Sequence, residues 1–181
     1  MKENIEQAIF ANGCFWCTEA VFLRLEGVFE VVPGFTGGTI KNPAYREITT
    51  GRTGHAEGIK INFDPSIISY QTLLEVFFAT HDPTTLNRQG NDVGTQYRSE
   101  IFYISEAQKQ QAQVFIEVLE DHKVFANPIV TAISEFKVFY DAEDDHKEYY
   151  DRNINQPYCQ YIITPKIDKI KKYYADKLKA Y

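Results

Sequence analysis

Ala8-Ile9-Phe10-Ala11 is an unbroken apolar run closed by Asn12-Gly13, the pattern of a short strand buried on both faces. Behind it Val21, Phe22 and Leu25 recur at helical spacing within Cys14–Leu25, and Gly27 marks the stop. The spacing therefore predicts strand, turn and helix, with Cys14 and Cys17 at the helix N-terminus. Val28 to Phe35 reads as a second strand, followed by a turn at Gly37-Gly38. Ala56 to Phe63 alternates, with Ile59, Ile61 and Phe63 on one face and Lys60 and Asn62 on the other. Carried backwards, that phase puts Glu57 on the apolar side, where a carboxyl loses solvent. Ser69 can cap a helix whose apolar face is Leu73, Leu74, Phe77 and Phe78.

His81 to Gln96 has no period and is rich in Gly, Thr and Asn; so long a loop in a small domain is usually functional or disordered. Arg98 to Ile104 reads as a strand, and Ser105-Glu106-Ala107-Gln108 as a capping box opening a helix to about His122. Ile129 to Ile133 and Phe136 to Tyr140 are two further alternating runs. Cys159 precedes the apolar Tyr161-Ile162-Ile163, a strand-like context. Thr164-Pro165 reads as an N-cap with Pro at the first helical position, and Ile167, Ile170, Tyr174 and Leu178 stripe the last helix. The lysines from Lys166 to Lys179 read as its solvated face. No repeat or linker divides residues 1–181, so one domain is expected. Strands mixed with helices, several of the strands consecutive, indicate an α+β sandwich.

Composition narrows the function classes. A chain of 181 residues can bury roughly 70% of its unfolded surface and needs no disulfide staples. A net charge of -6 argues against nucleic acid as a partner, because phosphate contacts need a basic face. No apolar run approaches the ~20 residues that span a bilayer. Met1-Lys2-Glu3-Asn4-Ile5-Glu6 lacks the basic and apolar regions of a secretory leader. A soluble, cytoplasmic protein is expected, and a monomer, since nothing marks an unpartnered helix stripe.

The 3 cysteines, Cys14, Cys17 and Cys159, are an odd number and do not read as a secreted disulfide framework. A close pair in a reducing compartment is more often catalytic or metal-binding. A cysteine in the first turn of a helix faces the positive end of the macrodipole and free N–H groups, which favour its thiolate. Cys14 and Cys17, three apart, come within disulfide range on a helix. Phe15 and Trp16 lie between them, two large aromatics that can form a small apolar cup for a methyl or thioether group. The pair alone fits redox chemistry and half a zinc site equally. A zinc module would need His55 or His146 with Cys159, which is poor ligand spacing, and the four histidines otherwise read as surface or loop residues.

Gly13-Cys14-Phe15-Trp16 resembles the signature of the A-type peptide methionine sulfoxide reductases. The similarity continues through Asn42-Pro43-Ala44-Tyr45, Thr53-Gly54-His55-Ala56-Glu57 and His81-Asp82-Pro83-Thr84, then through the run from Asn87 to Ser99, and ends at Ala142-Glu143-Asp144 before His146. It covers roughly Ala8 to Lys166. The resemblance implies a ferredoxin-like α/β sandwich with a mixed sheet and no metal or organic cofactor. It implies repair of methionine S-sulfoxide, free or in proteins, with thioredoxin as the reductant. Cys14 would be the nucleophile and Glu57 the acid that protonates the sulfoxide oxygen. Tyr45 and Tyr97 would donate phenolic hydrogen bonds to that oxygen, Asp92 would support the site from the long loop, and Phe15 and Trp16 would receive the substrate methyl group. The Cys14 sulfenic acid must then condense with a second thiol.

That second thiol is Cys17 or Cys159. Cys17 is always near, but a disulfide within one helical turn strains the helix; Cys159 lacks the glycines of a mobile arm. Against the reductase stands a general dithiol-disulfide oxidoreductase using Cys14 and Cys17, a reading that leaves Glu57, Tyr45, Asp92 and Tyr97 without a task.

Overall fold

The computed structural model describes residues 4–180. In chain order the chain forms β1 (Glu6–Asn12), α1 (Phe15–Phe22), β2 (Val28–Thr36), α2 (Tyr45–Ile48), β3 (Ala56–Phe63), α3 (Tyr70–Ala79), β4 (Arg88–Gln89), β5 (Asp92–Val93), β6 (Ser99–Tyr103), α4 (Glu106–Asp121), β7 (Ala132–Glu135), β8 (Phe139–Asp141), α5 (Tyr149–Arg152) and α6 (Thr164–Tyr173). Six strands make one sheet in the order β7-β6-β1-β3-β2-β8. The inner four, β6-β1-β3-β2, pair antiparallel, and α1 and α3 are the crossovers, which is the ferredoxin-like arrangement. At one edge β7 joins β6 in parallel after α4, and at the other β8 joins β2 antiparallel. The sheet is therefore mixed and the fold α+β, as the sequence pattern indicated.

β1 has no polar face because both of its faces are covered. Ala8, Ile9, Phe10 and Ala11 have no exposure. Phe10 packs on the helical side against Phe22, Tyr70 and Phe77 at 5.8, 5.9 and 4.9 Å between ring centroids. Ile9 and Ala11 lie on the other side with Ala56 and Phe102, under Phe136 and Phe139. Ser69 caps α3, its Oγ accepting from Thr72 N at 3.0 Å. Ser105 caps α4 through Gln108 N at 3.2 Å. The reciprocal half of the expected capping box is absent: Gln108 Oε1 accepts from Ile104 N instead, and its Nε2 donates to Gln7 O, tying α4 to β1.

Three stretches differ from the sequence reading. The runs at 129–133 and 136–140 yield shorter, later strands. Ile129 N and Val130 N are spent on Glu120 Oε1 and Pro83 O, and Phe136 is spent on covering the sheet. The segment 81–96 contains the hairpin β4–β5, turned at Gly90 with φ +57. Most consequential, Cys159 is in no strand, and Thr164 is no N-cap. The backbone is already helical at Tyr158 and passes through a π-helical turn, Cys159–Ile163, into α6. Pro165 has no N–H to give Tyr161 O, so the ladder widens there. The Thr164 backbone N–H reaches Cys159 O, five residues back, and its hydroxyl donates to the same carbonyl at 3.1 Å.

The tail then returns to α1. Leu178 lies beyond α6 and bridges Leu25; Glu26 N donates to Lys177 O at 2.8 Å and Lys179 N to Arg24 O at 2.9 Å. The lysines of this region are not uniformly a solvated face, since Lys169 Nζ donates to Ala79 O and Lys179 Nζ to Leu23 O. Among the described residues no helix is long and apolar enough to cross a membrane.

Candidate active site

The chain turns from β1 into α1 at Gly13, with φ +111, and a Cβ there would lie 2.8 Å from the Gln89 side chain. Both facts require glycine. Cys14 follows at the N-cap with φ -59 and ψ 125, extended and outside the helix. Cys17 N donates to Cys14 O at 3.1 Å, closing the first turn. Both thiols are free and buried. Burial first, then the neighbouring Cys17 and after it Glu57, push the Cys14 thiol well above its ordinary range. The Cys14 thiol beside it draws Cys17 down to about 7, against its own burial. The favourable helix end expected to ionise Cys14 is thus outweighed by burial, and the pair holds its first negative charge on Cys17.

β3 carries Glu57 beneath this turn, 1% exposed. Its Oε1 accepts from Phe15 N at 3.3 Å. Its Oε2 is buried and has no hydrogen-bond partner among the described residues. Burial raises its pKa to about 8, with Asp92 and Cys17 adding to the rise and the Phe15 N–H opposing it. At neutral pH the protonated carboxyl is favoured, and the loss of solvent behind it is what the alternation of β3 predicted.

Aromatic rings surround the pair. Phe15 has no exposure and sits against Phe35, Tyr45 and His146, with centroids 5.6, 6.3 and 5.4 Å away. Trp16 stacks on Tyr149 at 3.8 Å, and its Nε1 donates to His146 Nδ1 at 3.1 Å. Tyr45 begins α2, and the loop before it is held by His55, whose Nδ1 accepts from Gly38 N at 3.0 Å while Nε2 donates to Ile40 O at 2.6 Å. Tyr97 ends a short 3-10 turn, Thr95–Tyr97, and packs on the cluster of Cys14, Cys17 and Cys159. Burial and then Glu57 raise the phenols of both Tyr45 and Tyr97, so both remain donors.

Asp92 arrives on β5, where its Oδ2 accepts from Tyr158 OH at 2.8 Å. The same hydroxyl lies 3.6 Å from Cys17 Sγ. Cys159 has no exposure and belongs to the same cluster as Cys14 and Cys17; burial, then Cys17, raise its thiol. A groove of about 480 Å³ opens over Cys14 and Cys17, bounded by Asp92, Tyr158, Tyr161 and Lys166.

Every residue singled out from the sequence thus comes to one place, including the distant Cys159. Two residues were missed, Tyr149 and Tyr158, which partner Trp16 and Cys17, and His146, named only as a possible zinc ligand, is instead the acceptor for Trp16. The adjacency of Tyr158 to Cys159 and the quoted segment before His146 were the available signals. Of the reading of the histidines as surface or loop residues, the loop half holds for His55 and His81, but none of His55, His81 and His146 is at the surface: all three are buried. His81 contacts Phe77 O and Ser99 Oγ at 2.5 and 2.8 Å.

A buried thiol thus lies beside a buried carboxyl in an aromatic recess, with two further thiols in the same cluster. The model of the family described as peptide methionine sulfoxide reductase matches residues 6–178. A relative from Deinococcus radiodurans named peptide methionine sulfoxide reductase MsrA is 56% identical over 174 residues, 96% of this chain and 84% of its own. Methionine sulfoxide reductase A of Corynebacterium diphtheriae superposes with a TM-score of 0.79 at 36% identity, over 83% of this chain and 76% of that one. Mxr1 from Saccharomyces cerevisiae in reduced form gives 0.78 at 32% identity, over 86% and 89%. With a family model spanning the fold and relatives matched over three quarters or more of their own length, the chain belongs to the peptide methionine sulfoxide reductase family.

Proposed function

We propose that the chain reduces the S epimer of methionine sulfoxide, free or in proteins, to methionine, as a repair reaction after oxidative damage. The observation that carries this reading is Glu57, a buried carboxyl that keeps its proton at neutral pH and has one oxygen without a partner, set directly under the Cys14 turn. General dithiol exchange has no use for such an acid. Sulfoxide reduction requires one, because attack on the sulfur drives negative charge onto the oxygen.

Cys14 Sγ attacks the sulfoxide sulfur as a thiolate, its proton having passed to the Cys17 thiolate beside it. Glu57 gives its proton to the oxygen while Tyr45 and Tyr97 donate hydrogen bonds to it. The substrate S–O bond breaks, the released hydroxide adds to the Cys14 sulfur as the bond between Cys14 and the substrate sulfur breaks, methionine leaves, and Cys14 is left as the sulfenic acid with Glu57 ionised. Phe15 and Trp16 form the apolar wall that receives the methyl group, and Trp16 is held in place by Tyr149 and His146. Asp92 anchors the loop edge of the site through Tyr158. A second thiol then displaces water from the sulfenic acid, and an external dithiol, thioredoxin, reduces the resulting disulfide. Three free thiols suit a reducing compartment, here the cytoplasm, and a monomer suffices because one chain supplies every group.

The test is single-turnover methionine formation from each epimer by wild type, Cys14→Ser, Cys17→Ser and Glu57→Gln, with thiols counted before and after. We expect one equivalent of methionine from the S epimer only and none from Cys14→Ser. Cys17→Ser keeps its single turnover, and Glu57→Gln is slower by about 10² to 10⁴. Methionine formation by Cys14→Ser, or a Cys17→Ser variant without it, would overturn the reading.

A further inference from the structure

Resting on the reductase reading, we propose that Tyr158 is a positioning residue that passes the Cys17 proton to Asp92, so that Cys17 rather than Cys159 closes the disulfide with the Cys14 sulfenic acid. The phenol has one hydrogen and two neighbours. It donates to Asp92 Oδ2 at 2.8 Å, which leaves its oxygen as the acceptor facing Cys17 Sγ at 3.6 Å. A thiol hydrogen pointed at that oxygen completes a continuous line from sulfur to carboxylate. The three groups come from α1, the segment before α6 and β5, so the line exists only in the folded chain.

The step balances without an outside reagent. Cys17 Sγ attacks the sulfur of the sulfenic acid; the S–S bond forms and the S–O bond breaks. The Cys14 sulfur is reduced and the Cys17 sulfur oxidised. The Cys17 proton moves to the Tyr158 oxygen as the Tyr158 hydrogen moves to Asp92. The departing hydroxide takes up the proton now on Asp92, and water leaves.

Cys159 has no comparable outlet, being fully buried beside Ile163 and Ile167. Strain within a helical turn, the objection to Cys17, is relieved because Cys14 is extended and outside α1. The groups facing Cys17 also suit the step: the Cys14 thiol and then Lys166 of α6 favour its thiolate, and Asp92 opposes it. Cys14 of the β1–α1 turn, Glu57 of β3 and Cys159 complete its titratable surroundings.

The experiment is made in the full chain carrying Cys159→Ser, so that Cys17 is the one available partner. One equivalent of hydrogen peroxide oxidises Cys14, turning peroxide to water, while dimedone competes for the sulfenic acid. Peptide mass mapping gives the ratio of Cys14 adduct to disulfide. We expect Tyr158→Phe to raise that ratio at least tenfold at pH 7. In the variant the proton must reach solvent, so the ratio falls with rising pH until Cys17 is ionised and then levels off, whereas the parent is nearly flat. Asp92→Asn should act in the same direction, which guards against a folding defect in one variant. A Tyr158→Phe ratio equal to the parent's at every pH refutes the relay. So does a Cys17→Ser chain that forms its disulfide through Cys159 as fast as wild type. Because peroxide replaces the sulfoxide, the relay can fail while methionine formation stands, and the reverse.

Discussion

Replacing Glu57 by Gln separates the stability cost of the acid from its chemical use. The side chain is 1% exposed, and its pKa is moved from 4.5 to about 8. Because the folded chain holds this proton more tightly than the unfolded one, the group is harmless below the unfolded pKa and destabilises progressively as pH rises towards the folded one. Integrating proton linkage between pH 5.5 and 8.5 gives a loss of about 3 kcal/mol from this one group. Gln keeps the acceptor for Phe15 N but cannot ionise. Its NH2 falls where Oε2 has no partner, a pH-independent penalty of roughly 1–3 kcal/mol. Urea unfolding of wild type and Glu57→Gln at pH 5.5, 7.0 and 8.5 therefore isolates the linkage in the change of ΔΔG with pH. Glu19, raised to about 7 mainly by burial, is common to both proteins and cancels. The variant should gain about 3 kcal/mol on wild type across the range. A ΔΔG flat within 1 kcal/mol would show that Glu57 is ionised in the folded protein, removing the acid from the proposed mechanism.

Two other substitutions test the frame around the site. His81 is buried with its pKa lowered to about 3, chiefly by desolvation, so the unfolded chain binds this proton first and stability falls as pH drops below the usual histidine range. Between pH 7 and 5 it should cost about 2 kcal/mol, a loss that His81→Gln abolishes in the same urea assay; an unchanged acid slope would count against it. Gly38→Ala would put a Cβ 2.6 Å from the Gly54 backbone carbon and disturb the His55 bridge that holds the loop before Tyr45. A loss of roughly 1–3 kcal/mol is expected, with KM for the sulfoxide raised more than single-turnover rate is lowered; unaltered kinetics would show that this loop does not set the position of Tyr45.

The sequence was most legible where a residue's environment is decided within its own element. The alternation of Ile59, Ile61 and Phe63 was enough to bury Glu57, and Ser69 and Ser105 cap the helices they were expected to cap. What escaped depends on partners far along the chain. Tyr158 meets Cys17 across 141 positions, and Trp16 meets His146 across 130; no local period encodes such meetings. The apolar Tyr161-Ile162-Ile163 looked like a strand because β-branched residues favour one, but the helical backbone on either side and Pro165 make it a π turn instead. Phe136 is apolar for the sake of the sheet it covers, not of a strand it belongs to, which is why the strands beside it fell short of their hydrophobic runs. The histidines were underrated for the same reason, since Gly38, Ser99 and Trp16 supply bonds to them from other segments.

The sheet margins have a bearing on the company this protein keeps. Both edge strands come from one short excursion, residues 132–141: β7 has 4 residues and β8 has 3, with Phe136 lying across the sheet between them. Where the sulfoxide is carried in a protein, as proposed, the chain that bears it can bring extended segments in search of hydrogen-bond partners. Long bare edges would recruit them as additional strands and seed co-aggregation. β7 and β8 themselves offer few free N–H and C=O groups to register a foreign chain; the longer margin is the part of β2 that β8 leaves uncovered, from Val28 to Val32, and that stretch is where an added strand would find partners.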